Sequence, residues 1–479
     1  MRLIKLCLLL VVALTFTNCF EDNDDNAIAT SEINDFIWKA MNATYLYKIN
    51  VDDLANNRFP NNEAYSNYLN SFSTPKSLFD DLVYEPLDRF SFLTSNYIDH
   101  LQGQEGTTVT SGIEFVFELK QGSETDGFLI VRLVLNNSVA DNQGVQRGQI
   151  VDAINGVPIT ISNVFDLVGQ TTFTLNFANY NDNGTPDIET DDTIESTTDS
   201  VTLTKQLYTE NPIHLANVIE VDGENVGYLM YNRFNNNYED QLNAAFGQFQ
   251  ASNVQHLVLD LRYNPGGSVS TAVILGSMIT GQFNGQVYSK LVYNEDLQQN
   301  NSNFNFVNSF DGNAINSLNL DRVYVLTSDS SASASELVIN SLSEYITVIQ
   351  IGDNTVGKTQ ASITLFDSPG FGPNDINPNH TYAIQPLVAN SINVNDEAVP
   401  ANGLTPDIVL IETPANYGVL GDVNEPLLEA AIMNIQGLGR FGQSQVRIKS
   451  FKKDINLKPF EDRMYIDIDD LFLDELQFD

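Results

Sequence analysis

The sequence is poor in cysteine, histidine and basic residues. Its 479 residues include two cysteines, four histidines and 23 lysines and arginines, against 62 aspartates and glutamates. With only Cys7 and Cys19, neither a disulfide framework nor a cysteine metal site can form. The histidines are scattered, so we expect no zinc site. The net charge of −39 repels phosphate backbones, which makes nucleic acid a poor partner.

The first nineteen residues have the pattern of a secretory signal. Arg2 and Lys5 precede an apolar run, residues 6–16, that is too short to be a dependable membrane span, and Cys19 closes the segment. A cysteine at this point predicts lipidation, and hence an exported cell-envelope lipoprotein of the periplasm or outer membrane. Simple secretion, an uncleaved anchor and display on the cell surface are alternatives. Residues 20–30 are acidic and polar and predict a solvated tether.

Hydrophobic spacing divides the remaining chain into four parts. Residues 31–102 have mostly helical periodicity and predict a small helical N-terminal domain. Residues 103–206 change to strand periodicity, with an acidic, turn-rich segment at 178–200 that we interpret as an inserted loop. That segment does not match the calcium-loop pattern. Residues 207–440 alternate apolar strands with helices, which predicts a parallel α/β layer. The tail, 441–479, has no assignable chemistry; packing on the core, binding a neighbour and occupying the protein's own peptide site are all open.

The β-rich part resembles a PDZ domain of the permuted bacterial kind. The resemblance rests on a Gly-Ile-Glu-Phe segment and on "SVADNQGVQRGQIVDAING", residues 138–156, where Arg147 and Gln149 replace the usual Pro and Asp. Such domains add a peptide strand to an exposed sheet edge and hold a C-terminal carboxylate on loop amides. The resemblance therefore implies a peptide-binding loop. Its residues are Gly112, Ile113, Glu114 and Phe115. A plain β-rich spacer is the alternative.

Two segments of the predicted α/β layer have the composition of a reactive site. In "LDLRYNPGGSV", residues 259–269, two glycines between a strand and a helix leave amides bare, which suits stabilisation of an oxyanion. In "DSSASASELVINSL", residues 329–342, small residues leave a strand end unshielded. Ser333 satisfies the capping-box pattern S-x-x-E and could be merely a helix cap. However, Ser333 and Lys358 are separated by one helix and one strand, so both can meet at one edge of the sheet.

Lys358 also lies in a segment that matches a nucleotide-binding pattern. Residues 352–360, "GDNTVGKTQ", match the phosphate-loop pattern G-x-x-x-x-G-K-[ST] at every fixed position. A phosphate loop requires a helix after Thr359. The following "QASITLFDSPG" instead alternates apolar and polar residues as a strand does. We therefore expect no nucleotide binding here.

Together these segments resemble the C-terminal processing peptidases, tail-specific serine–lysine proteases. Their "S-A-S-A-S-E" motif is intact at 331–336, their "G-K" ends at Lys358, their "D-L-R-x-N-x-G-G" spans 260–267, and "NGLTPDI" at 402–408 resembles their closing strand. The resemblance implies a multidomain α/β protein with a ClpP/crotonase-like core and no cofactor or metal. It also implies a serine endopeptidase that cleaves unfolded or C-terminal segments of envelope proteins. The implied roles are nucleophile for Ser333, general base for Lys358, and oxyanion hole for Ala334 with Gly266 or Gly267.

The proposed base sets a chemical requirement on the site. A lysine accepts a proton only when neutral, so its pKa must fall from about 10.4 toward 7–8 in a desolvated pocket. The family usually places a glutamine four residues after the lysine, where it helps to orient the serine–lysine dyad; this chain has Ser362 there. Gln360 lies two residues after it and shares its strand face in a regular strand, so Gln360 is the candidate substitute. The displaced glutamine favours one alternative function, a non-catalytic peptide-binding envelope lipoprotein.

Overall fold

The computed structural model describes residues 32–185, 191–438 and 465–466. They form a mixed α/β protein of several parts, which confirms the predicted fold class. The predicted signal, the tether, Cys19 and most of the C-terminal tail lie outside the described residues. Within the described ranges, no helix combines the length and the apolar character needed to cross a membrane.

The N-terminal segment is mainly helical, as predicted. Its elements are α1 (Glu32–Thr44), α2 (Asn62–Asn70), α3 (Pro75–Leu82), β1 (Phe92–Thr94) and α4 (Tyr97–Gln104). Helix α3 starts at Pro75 because the Thr74 side chain accepts a hydrogen bond from its first turn and proline suits the first helical position. Phe36 and Met41 of α1 belong to one apolar cluster with Leu259 and Val388 of the later strands. The helical segment therefore shares the core of the α/β layer.

Residues 107–209 form an antiparallel β domain with two short helices. Its elements are β2 (Thr107–Thr110), β3 (Ile113–Leu119), β4 (Gly127–Val134), α5 (Val139–Asn142), β5 (Ile150–Ile154), β6 (Val157–Pro158), α6 (Val164–Gly169), β7 (Thr172–Asn181), β8 (Thr193–Thr204) and β9 (Gln206–Thr209). The main sheet has the order β3-β4-β5-β7-β8, with β6 beside β5, while β2 pairs with β9. Asn155 and Gly156 both have positive φ, as the two-residue turn between β5 and β6 requires.

The acidic segment that we interpreted as a loop, residues 178–200, is largely a β-hairpin. Strand β7 continues to Asn181 and β8 begins at Thr193, so residues 182–192 alone connect the two strands. Facing threonines support the pairing, as where the hydroxyls of Thr174 and Thr202 lie 2.9 Å apart. The interpretation was wrong because it relied on the acidic composition and overlooked the β-branched residues that favour strands.

The rest of the described chain forms the α/β layer. Its elements are β10 (Ile213–Val221), β11 (Glu224–Tyr231), α7 (Glu239–Ala251), β12 (His256–Asp260), α8 (Val269–Thr280), β13 (Val287–Tyr293), β14 (Ser302–Asn305), β15 (Ser309–Phe310), β16 (Asn313–Ala314), β17 (Arg322–Thr327), α9 (Ala334–Leu342), β18 (Thr347–Gly352), β19 (Gln360–Ser362), β20 (Leu365–Phe366), β21 (Ala383–Gln385), β22 (Leu387–Ile392), β23 (Ile408–Val409) and α10 (Pro426–Ile435). The central sheet has the order β10-β11-β12-β17-β18-β23. All of its pairs except β10 with β11 are parallel, which confirms the predicted parallel layer.

The parallel arrangement brings three loops to one edge of the central sheet. Strands β12, β17 and β18 lie side by side and end at Asp260, Thr327 and Gly352. The segments that follow them, 261–268, 328–333 and 353–359, therefore leave from the same edge. Two smaller sheets, β14-β13-β22-β19 and β1-β21-β20, add further strands around this region. The predicted meeting of Ser333 with Lys358 depends on this edge.

Candidate active site

Ser333 lies at the turn between the edge of the sheet and helix α9. Its backbone has φ 66° and ψ −114°, a conformation that non-glycine residues rarely adopt and that costs roughly 1–3 kcal/mol. The residue is fully buried. Within the described ranges its hydroxyl oxygen has no hydrogen-bond partner. The predicted capping box is present, since the Ser333 amide donates to Glu336 Oε2 (2.7 Å), but the strained turn and the full burial of the hydroxyl are features that a simple cap does not need.

The serines on either side of Ser333 hold its loop in place. The Ser331 hydroxyl donates to the Leu261 carbonyl (2.8 Å), and the Ser335 hydroxyl donates to the Asn264 carbonyl (2.9 Å). Both acceptors are in the loop that follows β12. The two outer serines of the motif thus bind the neighbouring loop, and the middle one does not take part in these contacts.

The glycines of the neighbouring loop come directly against Ser333. A Cβ atom on Gly266 would lie 2.6 Å from the Ser333 Cβ and 2.8 Å from its Oγ, so only glycine fits there. The Gly266 amide already donates to Asn264 Oδ1 (2.9 Å). In contrast, the amides of Gly267 and Ala334 donate no hydrogen bond to any described residue. Of the two predicted glycines, the geometry thus favours Gly267 as the partner of Ala334.

Lys358 is buried at the same edge, in the segment between β18 and β19. It is 2% exposed, and its Nζ lies 5.6 Å from the centroid of the Phe90 ring. Its chain neighbour Gly357 has φ 84°, and a Cβ there would lie 2.4 Å from the Ala401 carbonyl oxygen. Strand β19, not a helix, follows the lysine. This confirms the strand that the sequence predicts after Thr359.

Glu336 connects the serine to the lysine. Its Oε2 accepts hydrogen bonds from the backbone amides of Ser333 (2.7 Å) and Lys358 (2.9 Å), and its Oε1 accepts from the Gly357 amide (2.7 Å) and the Thr355 hydroxyl. The carboxylate is fully buried. Burial raises the pKa of Glu336, and these hydrogen bonds oppose the rise. The sequence analysis considered this glutamate only as a partner in a helix cap and missed its link to Lys358.

The structure separates the two residues considered for orienting the dyad. A register irregularity between Ala361 and Ser362 interrupts the regular alternation that the prediction assumed. The Gln360 side chain lies beside Tyr47 and forms a hydrogen bond with it. Burial and the charge of Asp88 raise the pKa of Tyr47, and this hydrogen bond opposes the rise. The Ser362 hydroxyl instead accepts a hydrogen bond from a different glutamine, treated next.

Gln385 of strand β21, which the sequence analysis did not consider, contacts Ser362. It is 2% exposed and its Nε2 donates to Ser362 Oγ (2.8 Å). Among the described residues its Oε1 has no hydrogen-bond partner. No local spacing could reveal it, because it lies 23 residues after Ser362 and reaches the site through sheet pairing.

The predicted peptide-binding loop lies at the start of β3. Ile113 and Phe115 are buried in the core of the β domain, so their side chains do not present a binding surface. Strand β3 is an edge strand, with β4 as its one partner in the described sheet. Glu114 forms an ion pair with Arg132 (3.2 Å), whose other nitrogen donates to Ser330 Oγ (2.9 Å). This loop is thus connected to the segment that carries Ser333.

A buried charge cluster fixes the loop after β12. Arg262 is fully buried and binds Asp260, Glu412 and Glu425, with N–O distances of 2.6–2.8 Å. Arg147 of the β domain also pairs with Glu412. Burial alone would raise the pKa of Glu412, but Arg147 and Arg262 lower it to about 2. The cluster holds together the sheet edge, α10 and the β domain.

Two protein-family models match the chain. The model of peptidase family S41 matches residues 225–410, and the model of the peptidase S41 N-terminal domain matches residues 32–92. The first includes Ser333, Glu336 and Lys358. The second coincides with the helical segment up to β1.

Individual proteins show the same similarity. A carboxyl-terminal-processing protease of Picosynechococcus sp. is 25% identical over 52% of this chain and 52% of its own length. The chloroplastic carboxyl-terminal-processing peptidase 3 of Arabidopsis thaliana is 28% identical over 48% of this chain and 43% of its own. The chain thus spans about half the length of these curated relatives. A crystal structure from Bacteroides fragilis NCTC 9343, assigned to the S41 proteases, superposes with a TM-score of 0.68 at 26% identity, covering 84% of this chain and 97% of the other.

Proposed function

The chain belongs to peptidase family S41, and from this premise we propose that it is a serine endopeptidase with Ser333 as nucleophile and Lys358 as general base. The observation that carries the proposal is the Glu336 carboxylate, which accepts hydrogen bonds from the backbone amides of both residues. A cap would need the serine alone. A carboxylate that fixes the lysine as well has the geometry expected of a support for a reactive pair.

The proposed reaction begins with proton transfer from Ser333 Oγ to the neutral amine of Lys358. Burial of Lys358 disfavours the charged ammonium, which suits this role. The serine oxygen then attacks the carbonyl carbon of the scissile peptide bond. The Lys358 ammonium returns the proton to the departing amine, which leaves an acyl group on Ser333. A water molecule, deprotonated by Lys358 in the same way, releases the acyl group and restores the serine.

The amides of Gly267 and Ala334 would stabilise the oxyanion that forms in each step. Neither amide donates to a described residue; Ala334 directly follows Ser333, and Gly267 directly follows Gly266, which lies against Ser333. Backbone donors fixed in a buried site are effective because they need no reorientation during the reaction. Ala334 is also the first residue of α9, where the helix dipole favours negative charge.

For substrate capture, we assign the free edge of β3 and the loop from Gly112 to Phe115. An extended polypeptide end can add to an edge strand through main-chain hydrogen bonds, which tolerates varied sequences. Unfolded or C-terminal segments of envelope proteins are the proposed substrates, in keeping with the predicted signal and the predicted lipid anchor at Cys19. The Glu114–Arg132–Ser330 connection gives such capture a direct contact with the loop that carries the nucleophile.

The test is cleavage of an unfolded reporter protein by the chain from Phe20 to Asp479. Ser333→Ala and Lys358→Ala are each expected to reduce the rate to background. Ser343→Ala, at the other end of α9, and Lys290→Ala, a partly exposed ion-pair lysine, serve as matched controls and are expected to retain activity. Activity that persists in Lys358→Ala would overturn the mechanism. Absence of cleavage by the unmodified protein across substrates would leave the non-catalytic peptide-binding function.

A further inference from the structure

Two residues of the C-terminal tail, Tyr465 and Ile466, lie within the candidate active site. Tyr465 forms a parallel bridge with Ser268 on one side and another with Ser362 on the other. The tail at this point is therefore a short strand inserted between two segments that are not otherwise adjacent in a sheet. Both neighbours are buried, at 0% and 1% exposure.

Main-chain hydrogen bonds hold the inserted strand. The Tyr465 amide donates to the Gly267 carbonyl (3.2 Å), and the Tyr465 carbonyl accepts from the Val269 amide (3.2 Å). The Ile466 amide donates to the Ser362 carbonyl (3.1 Å). These three groups of the enzyme are on opposite sides of the strand. An occupant that satisfies them must be an extended peptide, whatever its side chains.

The inserted strand lies between the glycine loop beside Ser333 and the strand that follows Lys358. On one side is Gly267, the assigned oxyanion donor, whose neighbour Gly266 abuts Ser333. On the other side is Ser362, in the strand that follows Lys358. A peptide whose carbonyl is to be attacked by Ser333 must lie along this same loop.

The side chain of Ile466 adds an apolar contact. It is 3% exposed and belongs to the main apolar cluster, which also contains Val269 and Ala361 from the two flanking segments. The position therefore takes a buried aliphatic side chain, while the main chain is bound without regard to sequence.

We propose that Tyr465 and Ile466 occupy, in cis, the position at which the enzyme holds an extended substrate strand, and that this position selects an aliphatic residue where Ile466 lies. The inference rests on the proposed function only in calling the competing peptide a substrate. A tethered segment competes at an effective concentration on the order of millimolar. Peptides that bind from solution must displace it, so release of the tail strengthens their binding.

The first test measures binding and needs no catalysis. A fluorescein-labelled peptide with the sequence of residues 461–470, "EDRMYIDIDD", is titrated by fluorescence anisotropy into Ser333→Ala protein, with and without Ile466→Asp in the chain. The added Ile466→Asp change is expected to lower the apparent Kd at least ~10-fold, because the tethered competitor is removed. Ile466→Val keeps a β-branched aliphatic group and is the matched control, expected to bind the probe as weakly as its parent. A probe carrying aspartate at the Ile466 position is expected not to bind.

A reversible crosslink gives a second test, in which two states of the same folded protein are compared. The chain from Phe20 onward has no cysteine, so Ser268→Cys with Tyr465→Cys introduces its only thiols. Facing residues of neighbouring strands lie within the Cα separation that a disulfide needs. In Ser333→Ala protein, oxidation is expected to abolish probe binding. In protein that keeps Ser333, it is expected to abolish reporter cleavage. Reduction of the same sample is expected to restore each.

The outcomes separate the two proposals. Equal probe affinity with and without Ile466→Asp, or an oxidised protein that still binds the probe, would overturn the inference even if the enzyme cleaves its reporter. Affinity that changes as expected in a protein without cleavage would uphold the inference and remove the proposed function.

Discussion

The backbone amides of Ser333 and Lys358, 25 residues apart in the chain, donate to the same oxygen atom, Oε2 of Glu336. These two hydrogen bonds join the loops beside both side chains, so the buried carboxylate helps to set the distance between the Ser333 hydroxyl and the Lys358 amine. Glu336 touches no reacting atom in the proposed mechanism and acts as a positioning residue.

Glu336→Gln is expected to lower kcat roughly 10- to 100-fold, with KM little changed. The substituted NH2 group faces amide donors and leaves one or more of them unsatisfied, at about 1–3 kcal/mol each. Steady-state kinetics on the reporter measures the effect. Glu239→Gln replaces another buried glutamate, bound to Thr271, and is expected to keep kcat. An equal fall in both variants would indicate a general loss of stability instead.

Gly266→Ala is expected to inactivate the protein while leaving it folded. The added methyl would collide with Ser333 at 2.6–2.8 Å and push the nucleophile out of its turn. Gly285→Ala is the control, because Gly285 also has positive φ (81°) but no atom within 4 Å of an added Cβ. Thermal unfolding and reporter cleavage are measured on both. Full activity in Gly266→Ala would contradict the placement of Ser333.

Gln385→Leu is expected to reduce kcat about 10-fold, a larger effect than that of Gln360→Leu. Gln385 is buried and donates to Ser362, and its loss removes this buried hydrogen bond. Gln360 is half-buried and bonds Tyr47. If Gln385 supports Lys358, Gln385→Leu shifts the pH dependence of kcat. If the role of Gln385 is purely structural, the pH dependence stays the same. The reverse order of effects would restore Gln360 as the orienting residue.

Acid is expected to destabilise the protein through Glu412. Its pKa is about 2 in the folded protein against an ordinary 4.5, so the stabilisation, about 3 kcal/mol, is present above pH 4.5 and is lost as pH falls toward 2. Urea unfolding between pH 3 and 7 measures the slope. Glu412→Gln is expected to lower stability at pH 7 and flatten the slope, whereas the exposed Glu220→Gln should leave both unchanged.

Much of the fold followed from local patterns, because the strands and helices of the α/β layer have strong, uninterrupted periodicity. Strand β12 and helix α9, for example, were predicted from apolar runs and small-residue turns. The assignment of Ser333 and Lys358 as the reactive pair rests on their motifs. What escaped prediction depends on contacts between distant segments: the Glu336 link to Lys358, the arrival of Gln385 through sheet pairing, and the register irregularity at Ser362. For the tail three alternatives were open, and no spacing could have chosen among them or predicted the bridges of Tyr465 with Ser268 and Ser362.

The shared core of the N-terminal helices and the α/β layer governs the order in which the chain can fold. Strand β1, at Phe92–Thr94, pairs with β21, at Ala383–Gln385, and the Leu46 amide donates to the Leu387 carbonyl. Strand β1 thus gains its partner strand only after nearly three hundred further residues have been made. Contacts at such separations form late and slowly. Lys358 precedes β21 in the chain, so, if the proposed function holds, we expect a partial chain that ends before Ala383 not to cleave its neighbours.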